Sequence, residues 1–211
     1  MGNFSFYRVS QNLKIILYEH LSLNKKWYIL LLGVAILAII VGIVLGVKIA
    51  PDSSIDKIPD SVLISYAKKD CSIFSLLISR LIGYLGLILI FWCAGFRRAL
   101  SIFTFLAIAY KSFYIGLNGV FFIVLFGVSG IVNALVVFLP ACILGLVGLI
   151  CWASVCIGYS FDSCVYGGSV FSRDFLCKSR WLLYTSLVCI LCACLYEAII
   201  LPWTINLIIL S

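Results

Sequence analysis

The chain has 211 residues, of which 64% are hydrophobic and 11% charged, with a mean hydropathy of +1.23. A soluble domain carries roughly 25% charged residues, so a water-soluble fold is excluded and an all-α polytopic membrane bundle is the class that fits. The net charge of +7 does not point to nucleic acid, because the basic residues are scattered at the ends of apolar blocks instead of gathering on one face.

In residues 1–26, Phe6, Val9, Leu13, Ile16 and Leu17 recur at three- and four-residue spacing, with Arg8, Gln11, Lys14 and Glu19 between them. That pattern predicts an amphipathic helix lying on the membrane surface and turning into the first span; a frayed tail is the alternative. The first apolar run, Trp27–Ile49, is framed by Lys25, Lys26 and Lys48. It starts too late and runs too long for a signal-peptide core, so it reads as an uncleaved signal anchor. Gly2 does not make a myristoylation site, since Phe6 stands where Ser or Thr is needed. Pro51–Lys69 is the one sizeable polar segment. A second span, Phe74–Phe96, carries Arg80 near its start, placed to snorkel outward, and closes on Gly95-Phe-Arg-Arg98.

The block Ala99–Phe126 would make a straight helix of about 42 Å, against a hydrocarbon core of about 30 Å. A break near Tyr110–Ser112 is therefore expected, with Ala99–Ala109 a short half-buried helix. Tyr110–Leu146 contains a single ionisable side chain, Lys111, and is long enough for two spans joined at a Gly127–Gly130 turn. Span four is read as Ile131–Ile157, kinked at Pro140. A polar loop, Gly158–Arg180, leads to span five, Trp181–Leu210, interrupted by Glu197 and Pro202.

Lysine and arginine counts set the orientation. With the N-terminus inside, nine basic residues (Arg8, Lys14, Lys25, Lys26, Arg97, Arg98, Arg173, Lys178 and Arg180) fall on the inner side. Five (Lys48, Lys57, Lys68, Lys69 and Arg80) fall outside, in one loop beside four aspartates. This predicts a cytosolic N-terminus and an external C-terminus.

Lys111 is the sharpest candidate for a functional residue. At mid-depth a lysine costs roughly 2.5–3.5 kcal/mol on insertion scales, so it should face protein or water. Glu197 is the one carboxylate in the apolar blocks of the last half, and a Lys111–Glu197 pair would relieve both charges. The plain alternative is that Lys111 marks a helix end and snorkels while Glu197 lies near the outer surface. Asn118 and Asn133 flank the glycine turn, where antiparallel helices could join their amides as interhelical glue. Gly42 with Gly46, Ser112 with Gly116, and Ala141 with Gly145 are small residues four apart, a spacing that lets helix backbones approach.

Chemistry has little to stand on. His20 is the lone histidine, and no zinc-protease, nucleophile-elbow or phosphate-loop motif is present. No enzyme, cofactor or metal site is therefore assigned. Seven of the ten cysteines lie within apolar blocks, where thiols pack as small hydrophobes. Cys189-Ile-Leu-Cys192 has redox spacing but lacks a hydrophilic context and a second pair.

Three stretches carry a family resemblance: the glycine-rich end of span one, Gly42–Lys48; Tyr110–Asn118 (YKSFYIGLN); and Phe126–Leu146, a glycine turn followed by an apolar run into a helical proline. In these, in length and in its five-span plan, the chain resembles the stage II sporulation protein M family of bacterial inner-membrane proteins, over most of residues 25–160. It departs from the family at Ala141-Cys142, where a polar residue often follows the proline. The resemblance implies a non-enzymatic scaffold that recruits membrane-anchored peptidoglycan hydrolases during engulfment, with other membrane proteins, or a second copy of the chain, as partners. The rival reading is a small transporter or permease subunit with a polar site at Lys111 and Glu197.

Overall fold

A computed structural model of the protein describes residues 3–49, 73–133, 135, 138–166 and 173–210. Helix α1 is Asn3–Ile49, α2 Ile73–Phe96, α3 Ser101–Asn133, α4 Leu139–Tyr166 and α5 Arg173–Leu210, with one 3-10 turn, Arg98–Leu100, between α2 and α3. Five helices are long and apolar enough to cross a membrane, over Lys25–Ile49, Phe74–Phe96, Arg98–Val124, Leu139–Phe161 and Ser179–Ile200. The helical answer follows from the solvent. In hydrocarbon every backbone N–H and C=O must be satisfied within the segment, and a helix does this alone. The protein is an all-α membrane-embedded bundle.

Helix α4 is its axis. Within its apolar window 72% of residues are buried, against 22–33% in the other four spans. Leu149, Ala153 and Ile157 of α4 meet Leu31 and Ala35 of α1, Tyr84 and Phe91 of α2, Ile108 of α3 and Cys194 of α5 in one core. The outward faces carry large apolar side chains such as Leu37, Ile82, Leu89, Phe103 and Val188, the pattern expected where the surrounding medium is lipid. At one end of the bundle the Trp27 and Phe161 rings lie 4.5 Å apart, and the Arg98 guanidinium stands 4.1 Å over Phe161. The start of the first span, the α2–α3 turn and the end of the fourth span therefore share one end, as antiparallel neighbours must.

Helices α1 and α3 touch backbone to backbone. A Cβ at Gly42 would collide with the Phe113 carbonyl oxygen, and one at Gly116 with the Ile39 carbonyl oxygen. Gly46 faces the Val120 side chain, 3.0 Å from where its own Cβ would stand. Small residues admit such an approach where water supplies no hydrophobic drive between helices.

Several boundaries differ from the sequence reading. The leader and first span form one continuous helix, α1, without a turn between them; the leader's side chains lie outside the described residues, as does the polar segment Pro51–Lys69. The break expected near Tyr110–Ser112 is absent. Helix α3 runs unbroken through Lys111, and the chain departs from helical geometry at Gly127, with φ 58° and ψ −132°, a region open to glycine but strained for other residues. The long apolar block is thus one helix ending in a glycine kink, not a half-buried piece plus a span. Span four begins at Leu139, so Pro140 falls in the first turn of α4. It thus stands near the start of α4 and not within the span, with π-helical residues 135 and 138 just ahead of it. Within the loop expected over Gly158–Arg180, α4 continues to Tyr166 and α5 starts at Arg173, and residues 167–172 lie outside the described residues. Helix α5 runs through Glu197 and Pro202 without interruption.

Candidate functional site

The charged side chains inside the membrane spans converge on one cluster beside α4. Arg80 and Tyr84 stand four residues apart on α2, one turn, and so share a face. Glu197 of α5 is buried and receives both. Its Oε2 lies 3.5 Å from Arg80 Nε, and the Tyr84 hydroxyl donates to its Oε1, also at 3.5 Å. Both contacts are long, so they orient the groups more than they bind them. The Tyr84 hydroxyl fits because residue 145 is glycine: a Cβ there would collide with it. From α3, Lys111 Nζ stands 4.3 Å over the centre of the Tyr84 ring, a cation–π contact that draws the ammonium toward the bundle. Cys142 of α4 and Cys194 of α5, both buried, lie within the fields of Glu197, Lys111 and Arg80.

Depth follows from the helical rise. Counted from the end marked by Trp27, Arg98 and Phe161, Lys111 lies about 15 Å in, Tyr84 about 18 Å, and Arg80 and Glu197 about 24–27 Å, at 1.5 Å per residue. The cluster thus occupies the middle and the far half of the bundle. Two cations, one carboxylate and one phenol meet there. Burying such a pair is a weak source of stability, since desolvation offsets attraction, but it strongly disfavours arrangements that separate the partners.

Lys111 and Glu197 are thus brought to one cluster, as the sequence suggested, but with Tyr84 between them. The ion pair of Glu197 is with Arg80, not with Lys111. Arg80, read from sequence as snorkelling outward, turns inward, with its side chain 20% exposed. Its signal was available in the i, i+4 placement of an arginine and a tyrosine on an otherwise apolar helix. Gly42, Gly46 and Gly116 lie at the α1–α3 contact, and Gly127 makes the kink. Asn118 is buried, and its Oδ1 finds no hydrogen-bond partner among the described residues; Ser112 and Thr104 on the same helix share that condition. The Asn133 amide and Gly130 fall outside the described side chains, so the expected amide contact does too. Pro140 opens α4. Across α4 and α5, Ser186 donates from its hydroxyl to the Gly148 carbonyl, and Gly148 itself is hemmed in by Ile190 and the Ser186 carbonyl. Cys189 and Cys192 are both free thiols. Among the described residues no group of three or more His, Cys, Asp or Glu side chains is gathered to hold a metal ion. In comparisons with known protein families, curated proteins and solved structures, the chain matches none.

Proposed function

We propose that this protein is a non-enzymatic scaffold of a bacterial cell membrane, with its N-terminus cytosolic and C-terminus external, that holds peptidoglycan hydrolases during engulfment as the family it resembles does. One observation supports this reading best. The intramembrane charges are turned inward and tied to one another, Arg80 to Glu197 and Lys111 to Tyr84. That arrangement fixes α2, α3 and α5 around α4 and leaves apolar outer faces against which other spans can pack. Cross-linking in native membranes should capture a wall hydrolase, deletion of the gene should block engulfment, and the purified protein should leave peptidoglycan intact. Robust wall cleavage by the pure protein overturns the reading. So does normal engulfment by the deletion strain when no hydrolase co-purifies.

A second reading rests on Lys111, whose ammonium has an aromatic face but no carboxylate partner among the described residues. A transporter subunit built on that charge predicts ligand- or pH-dependent flux in liposomes, abolished by Lys111→Ala. Scaffold behaviour predicts no flux in either protein.

A further inference from the structure

Between the α2–α3 turn and the ionic cluster, α2 and α3 leave an apolar groove of about 600 Å³. Leu87, Ile90 and Cys93 line one wall and Leu100, Phe103 and Tyr110 the other. Almost nothing polar faces it. Along α3 it extends from Leu100 to Tyr110, about 15 Å at 1.5 Å per residue, which is one leaflet's share of a hydrocarbon core of about 30 Å. Its shallow end is the α2–α3 turn, where Arg97 and Arg98 are both exposed. Arg97 adopts an extended backbone, φ −141° and ψ 135°, and Arg98 opens the 3-10 turn that follows it. Arg98 is braced on the Phe161 ring, 4.1 Å from its centre, which holds its guanidinium at the interface.

From this we infer that the α2–α3 groove is a binding site for one anionic phospholipid of the adjacent leaflet, with its phosphate on Arg97 and Arg98 and an acyl chain along Leu87–Cys93 and Phe103–Tyr110. Three independent features select that occupant. The lining is apolar throughout, the length is that of one leaflet, and exposed positive charge stands at the headgroup end, whereas Lys111 beyond the deep end is turned to the Tyr84 ring. An arginine fork matches a phosphate geometrically, and basic residues at the interface draw anionic lipids. A partner helix would account for the lining but not for the one-leaflet length or the charge at one end. The site does not depend on the scaffold reading: its ligand is a lipid, and its lining includes none of Arg80, Tyr84, Lys111 and Glu197.

Native mass spectrometry of the full-length protein in mild detergent tests the site, by titration with long-chain phosphatidylglycerol and with phosphatidylcholine of the same chains. Phosphatidylglycerol should bind more tightly, and Arg97→Gln with Arg98→Gln should weaken it about 30-fold, to the level of phosphatidylcholine. Cys93→Trp, on an exposed wall residue, should weaken both long-chain lipids by filling the groove. Short-chain phosphatidylglycerol should bind at least about tenfold more weakly than the long-chain form, since it forgoes apolar burial. Unchanged melting temperature and monodispersity would show that the variants fold. Equal affinity for the two headgroups overturns the proposal, as does tight phosphatidylglycerol binding that survives the arginine substitutions, or equal binding of short and long chains.

Discussion

Glu197→Ala is expected to be the most destabilising single change in the bundle, by about 3 kcal/mol, at the low end of the range for removing one partner of a buried ion pair. Alanine would leave Arg80 facing the core without its counter-charge, and the Tyr84 hydroxyl without its acceptor. The low end applies because Arg80 retains 20% exposure and its contact is 3.5 Å long. The double variant Arg80→Met, Glu197→Leu removes the charge problem and fills similar volume. It should recover most of the loss, since apolar replacements of buried pairs are often neutral or better. Thermal unfolding in mild detergent distinguishes these outcomes. If Glu197→Ala melts with the wild type, the pair has no structural weight and the cluster does not organise α2 and α5.

The second large effect is expected at the α1–α3 crossing. Even Gly42→Ala or Gly116→Ala places a methyl group against a backbone carbonyl that cannot swing aside. The two helices must separate, at a cost of about 1–3 kcal/mol for overpacking, and leucine at either position should break the contact. Gly33, Gly83 and Gly86 supply the control, because a Cβ at each meets nothing within 4 Å. Their alanine variants should change stability by no more than about 0.5 kcal/mol, as surface substitutions generally do. Equal responses at both sets of glycines would mean that the close approach of the two helices carries no weight, since helix propensity alone favours alanine at every one of these positions.

How far the sequence carried can be argued from particular residues. Span number and composition were legible because hydrocarbon thickness sets helix length. The glycine pairing at Gly42, Gly46 and Gly116 was legible because spacing of four marks one helix face. The convergence of Lys111 and Glu197 was one of two readings left open, suggested by the cost of burying either alone. The identity of the ion pair was not, because span length cannot tell whether a near-terminal arginine reaches out to the interface or in to the core. That choice depends on what faces Arg80 across the bundle, a carboxylate 117 positions further along the chain. The break near Lys111 failed for a related reason. Excess length was read as demanding a kink at the one charge as well as the turn at Gly127–Gly130, whereas α3 departs from helical geometry at Gly127, the start of that expected turn, where glycine makes positive φ inexpensive.

Because α4 and the carboxylate-bearing α5 leave the ribosome after α2 and α3, Arg80 and Lys111 enter the bilayer before their surroundings exist. Until then these two membrane-embedded cations lack the carboxylate of α5, and so invite the translocon or an insertase to shelter them. Arrival of α5 then locks the bundle: a chain stalled or truncated ahead of Glu197 exposes a recognisable charge defect that quality-control proteases can read.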